Sequence, residues 1–110
     1  MIPQEWHVGS TIPLVCLFKT VNDSGKVVAL NLNGATSFNA RYTKPDGVTV
    51  GFFPLSIATD GTDGQTIYQP TEDDIDVAGA WIFQGICVKD GTIYKSNIVT
   101  KEVFPNIEIV

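Results

Sequence analysis

Basic residues are scarce in this chain. Seven lysines and arginines stand against twelve aspartates and glutamates, for a net charge of -5. They are scattered as Lys19, Lys26, Arg41, Lys44, Lys89, Lys95 and Lys101. Nucleic-acid binding needs concentrated Lys and Arg to neutralise phosphates, so that partner class is excluded. No apolar run approaches the roughly 20 residues that cross a bilayer, which argues against a membrane partner. The first residues, Met-Ile-Pro-Gln-Glu-Trp-His, lack the basic and apolar regions of a signal peptide, so a complete cytoplasmic translation product is expected. With one histidine and two widely spaced cysteines, no zinc-site pattern exists. No segment of any length shows a helix period.

What is present is a succession of β-rich runs closed by Gly- and Asp-rich turns. The clearest runs from Ala80 to Ser96, where two strands flank Asp90-Gly91, a strong short-range hairpin signal. Thr11 to Thr20 alternates, with Ile12, Leu14, Cys16 and Phe18 on one face, and predicts a half-buried strand made irregular near its start by Pro13. Further strands are expected over 35–43, 48–53, 65–69 and 93–104, with short extended pieces at 27–32 and 55–59. Lys44-Pro45-Asp46-Gly47 is a turn in which Pro presets φ and Gly closes it. Thr71 to Asp74 reads as one helical turn with Thr71 as its N-cap. Together these predict an all-β, antiparallel β-sandwich of about seven strands. The 110 residues make one domain, 1–110, with a core over 9–104 and terminal extensions at 1–8 and 105–110. That length buries roughly two-thirds of the unfolded surface, enough for a core without staples.

The candidate chemistry is thin. Cys16 and Cys87 fall on inward faces of two strands, where either an inter-sheet disulfide or two reduced core thiols would fit. His7 has no nucleophile motif around it, and Ser10 is not in a nucleophile elbow. The acidic groups Glu72, Asp73, Asp74 and Asp76, and likewise Asp60 and Asp63, lack the ligand spacing of a calcium loop and read as solvated turns. All of these carboxylates sit in turns, so no acid–base pair for glycoside hydrolysis emerges. The expectation is a non-enzyme without catalytic residues, cofactor or metal. Trp81 and Phe83 alternate inward with Gly85 and Cys87 as core. Trp6 either covers an open end of the core or meets a partner.

Three segments resemble a known group: Val28 to Thr36, the turn Lys44-Pro45-Asp46-Gly47, and Asp74 to Trp81. In order and approximate spacing, from about Gly9 to Phe104, they resemble the N-terminal domain family of the phage baseplate upper protein. The Phe52-Phe53-Pro54 stretch is more apolar than that pattern. The resemblance implies an immunoglobulin-like sandwich and a virion structural protein of a tailed bacteriophage. Such a protein is made in the host cytoplasm and acts as an adaptor in the tail, baseplate or fibre-attachment region. Its implied partners are other virion proteins, in multiple copies or as a homo-oligomer. Capsid decoration or a head-fibre role is the alternative on the same fold. A carbohydrate-binding module would draw on Trp6, Tyr68 and Tyr94. The residues expected at protein contacts are Trp6, Phe52, Phe53, Phe104 and Ile107, apolar positions near ends or turns. The apolar pieces Ile2 to Trp6 and Pro105 to Val110 are candidate donor strands for an open sheet edge.

Overall fold

The computed structural model describes residues 6–105. Among the described residues the fold is all-β, with ten strands and no helix. In chain order these are β1 (Trp6–His7), β2 (Leu14–Leu17), β3 (Lys19–Val21), β4 (Val27–Ala29), β5 (Ser37–Thr43), β6 (Val50–Pro54), β7 (Ser56–Ile57), β8 (Gln65–Tyr68), β9 (Gly79–Lys89) and β10 (Thr92–Phe104). A five-stranded sheet runs β1-β10-β9-β5-β6 and a three-stranded sheet runs β2-β8-β7, while β3 and β4 form a separate ribbon. Inward residues of both larger sheets share one core, including Leu14, Cys16, Ala40, Phe53, Trp81, Phe83, Cys87 and Val103. The arrangement is compatible with a β-sandwich.

The β9–β10 hairpin is the spine of the larger sheet. Asp90 (φ 51°) and Gly91 (φ 77°) both take positive φ, as a two-residue turn matched to strand twist requires. Along β9 the side chains alternate strictly. Trp81, Phe83, Gly85 and Cys87 are buried, and Ala80 and Ile82 are exposed. The pairing with β10 is regular except at one place: Lys95 lies opposite Ile86, and Ile98 opposite Gln84. Two residues, Ser96 and Asn97, therefore face Gly85 alone, which is a β-bulge. The bulge turns the Ser96 hydroxyl inward, where it accepts the Gly85 N–H at 2.7 Å and donates to the Asn97 carbonyl at 2.8 Å.

The single strand expected over 11–20 is instead two. β2 pairs with β8 as far as Leu17 opposite Gln65, and β3 pairs with β4 from Lys19 opposite Ala29. The change of partner occurs at Phe18. Its N–H donates to Gly64 O at 2.8 Å, and its carbonyl accepts from Leu30 N at 3.0 Å. The alternation was read correctly, since Leu14, Cys16 and Phe18 are all buried. Periodicity carries no information on which neighbour supplies the hydrogen bonds. Two glycines make the switch possible. A Cβ on Gly85 would lie 2.7 Å from the Phe18 ring, and one on Gly64 (φ 74°) would run into the Phe18 carbonyl.

Other expectations shift in smaller ways. Trp6 and His7, assigned to an N-terminal extension, form β1 and pair in parallel with Val103 and Phe104 of β10. The turn at 71–74 does not become a helix. The Thr71 N–H donates to the Asp74 carboxylate at 2.7 Å while Asp74 N–H returns to the Thr71 carbonyl at 3.1 Å, which closes the turn on itself. Cys16 and Cys87 are both fully buried, free thiols. Burial raises the pKa of each, so both remain protonated at neutral pH. Residues 106–110, including Ile107 and most of the candidate C-terminal donor piece, lie outside the described residues, as do 1–5.

Gly64→Ala should lower stability by at least about 2 kcal/mol, because an L side chain in left-handed backbone meets an immovable carbonyl there. Gly47→Ala, with open space around the added methyl, should lose only about 1 kcal/mol. Urea denaturation of both variants checks the contrast.

Candidate interaction surface

Two of the three segments that carry the family resemblance, 44–47 and 74–81, meet at one corner of the molecule. Lys44, just beyond β5, forms an ion pair with Asp76 at 2.9 Å and lies over the Trp81 ring at 5.5 Å. Trp81 donates its indole N–H to the Val77 carbonyl at 2.9 Å. Gly79 (φ 123°) has no side chain because Pro45 occupies that space, at 2.6 Å from where a Cβ would stand. Asp46 fixes the turn between β5 and β6. Its carboxylate accepts from the Thr49 hydroxyl and from the Thr49 and Val48 N–H groups. Those hydrogen bonds, the Thr49 hydroxyl first, lower its pKa to about 2. The polar residues Lys44, Asp46 and Asp76 of this corner are thus structural, each closing a turn or covering the tryptophan.

The acidic turn before β9 is organised in the same way. Asp74 accepts the Tyr68 hydroxyl at 2.6 Å and the Thr71 N–H. Burial acts to raise its pKa, but the Tyr68 and Thr71 hydrogen bonds outweigh that and hold it below the usual carboxylate range. Asp60 and Asp63 are likewise engaged by their own loop, accepting from Thr62 and from Thr59 and Gln65 respectively. Among the described residues no cluster of His, Cys, Asp and Glu has the geometry to hold a metal ion. His7 lies on β1 at the sheet edge, its ring 5.8 Å from that of Phe104.

The residues expected at protein contacts divide. Phe52 is 61% exposed and Phe104 40% exposed. Trp6 and Phe53 are core. Trp6 packs on Phe83 at 5.7 Å between centroids, beneath the Lys101 ammonium, and so takes the first of the two roles open to it. Phe53 is stacked on Tyr68 at 4.7 Å and packs on Tyr42 at 4.6 Å. That stack also withdraws Tyr68 from any aromatic platform of the kind a sugar would need. Phe52 and Phe53 are adjacent and opposite in fate because strand side chains alternate, and β6 buries one face only.

Exposed apolar side chains gather on the outer face of the five-stranded sheet. Phe52 lies opposite Arg41, which lies opposite Gln84, which lies opposite Ile98. One row over, Val50, Thr43, Ile82 and Thr100 align in the same way. Among the described residues β6 ends the sheet, and one of its sides is unpaired. From Val48 to Leu55 this edge carries no charge. Natural sheets usually blunt such an edge with lysine or an inward charge, and here only Pro54 interrupts it. The exposure of Phe52 was legible in its alternation; the open edge was not, because edge position is a property of the whole sheet. No family model, curated protein or solved structure matches this chain.

Tyr68 offers a test of the acidic turn. Burial, then the hydrogen bond and charge of Asp74, push its pKa from the ordinary value near 10 up to about 12. The folded state holds the neutral phenol more tightly than the unfolded chain does. That contribution is whole below pH 10 and is lost as pH rises through 12. Ultraviolet titration should show one tyrosine ionising about two units late. Tyr68→Phe should abolish the late step and lower stability by about 1–2 kcal/mol.

Proposed function

We propose that this chain is a non-enzymatic structural module of a tailed-phage virion. On this reading it is an immunoglobulin-like sandwich that joins other virion proteins in the tail, baseplate or fibre-attachment region. The observation that carries the reading is the β6 edge: unpaired among the described residues, uncharged over 48–55, and bearing the exposed Phe52 and Val50. A strand from another protein can extend such an edge by main-chain hydrogen bonds, with Phe52 supplying apolar contact.

The strand order supports the immunoglobulin-like part. In that fold one sheet carries strands G, F, C and C′, and the other B, E and D. Here β10-β9-β5-β6 and β2-β8-β7 follow the same order along the chain, with β1 added beside β10 and the β3–β4 ribbon inserted. Cys16 and Cys87 lie on β2 and β9, the counterparts of the strands that a disulfide joins in antibody domains, but as free thiols. The resemblance of 28–36, 44–47 and 74–81 to the baseplate upper protein family supports the phage part. The contacts among Lys44, Pro45, Asp76, Gly79 and Trp81 give the last two segments a common physical role in the fold.

Quantitative mass spectrometry of gradient-purified particles from the genome encoding this chain should find it in a fixed, multiple copy number. Gold labelling should place it on the tail. Label on the head would move the role to capsid decoration, and absence from particles would overturn the reading. Phe52→Asp should leave the fold intact yet lower incorporation into particles roughly tenfold, as losing an interface anchor does.

A further inference from the structure

Two of the seven basic residues, Lys19 and Lys95, line the same opening. It is a cavity of about 300 Å³, completed by Leu17, Ser96 and Asn97. It lies in the seam where the bulged part of β10 passes the junction of β2 and β3. Among the described residues β1 pairs with β10 at Val103 and Phe104, away from this stretch of the strand.

The bulge builds the floor and fixes which polar groups remain available. The Ser96 hydroxyl is fully engaged by Gly85 and Asn97. The Asn97 carboxamide oxygen accepts the Leu17 N–H at 3.1 Å, bridging the two sheets, and its NH₂ is left over as a donor. Neither lysine forms an ion pair or hydrogen bond among the described residues, where Lys44–Asp76 is the single salt bridge. Two of the side chains at this opening are therefore cations with no protein partner among the described residues, and the Asn97 NH₂ adds a neutral donor. Leu17 supplies an apolar wall.

We propose that this seam is a binding site for an oxyanion, a carboxylate or phosphate group on a ligand small enough for the cavity. Two unpaired ammonium groups with a carboxamide NH₂ beside them complement acceptor oxygens, by charge-assisted hydrogen bonds, and repel a cation. An anion there also relieves the repulsion between two like charges gathered at one opening.

The test is a ¹⁵N–¹H NMR titration of the intact chain with two probes, inorganic phosphate and succinate, at constant ionic strength. Saturable shifts centred on Leu17, Lys19 and Lys95 to Asn97, with millimolar affinity, are expected for at least one probe. The probe that saturates identifies the source as phosphate or carboxylate. Lys19→Gln and Lys95→Gln should each weaken binding about fivefold, and the double variant should abolish saturation. Lys26→Gln, outside the cavity, should bind as the parent does. Linear, unsaturating shifts with both probes would overturn the proposal. So would saturation unchanged in the folded double variant.

Discussion

The contact between the Phe18 ring and the bare backbone of Gly85 governs much of this structure. It joins the segment between β2 and β3 to the centre of β9, in the opposite sheet. A side chain at 85 would displace the ring, and the ring is fully buried. Phe18 is also where the chain leaves one hydrogen-bonding partner for another, so its position sets where β2 ends and the β3–β4 ribbon begins. Opposite Gly85 the hairpin widens into the bulge, and Ser96 supplies an acceptor for the Gly85 N–H. Ring, glycine, hydroxyl and bulge are one solution to bringing a ribbon close against a sheet.

Polar side chains in this chain mostly close turns. Asp46, Asp60, Asp63 and Asp74 each accept hydrogen bonds from within their own loop, and Lys44 with Asp76 seals the tryptophan corner. The surface left over has two characters. The β6 edge is apolar and uncharged from Val48 to Leu55, and the adjoining outer face sets Phe52, Val50, Ile82 and Ile98 among polar residues and Arg41. The seam beside β10 is polar and cationic.

Local chemistry was readable in the sequence wherever it acts alone. Asp90-Gly91 announces its hairpin because positive φ at two adjacent residues is a local demand. The burial of Leu14, Cys16 and Phe18 follows from period-2 alternation. The partner switch at Phe18 was not readable, because alternation is the same whether β8 or β4 supplies the ladder. Trp6 was ambiguous for a related reason: a two-residue strand has no period, and only the parallel pairing with β10 places it in the core. The seam has no distinctive local signal. Lys95-Ser96-Asn97 is a polar run within β10, but Thr100-Lys101-Glu102 is another and pairs regularly, so polarity alone does not locate the bulge. That Lys19 would stand beside it depends on how the sheets approach, which no local pattern encodes.

The parallel pairing of β1 with β10 has a mechanical consequence. Trp6 and His7 run alongside Val103 and Phe104 in the same direction, with a further hydrogen bond from Val8 N–H to the Phe104 carbonyl at 3.1 Å. Force pulling residue 6 backward and residue 104 forward slides these strands past each other in shear. The bonds between them then bear the load together, whereas a hairpin pulled open would release them one at a time. Tension applied at residues 6 and 104 is therefore resisted by this short pairing, and resistance of this kind is set by the rate of rupture and not by equilibrium stability.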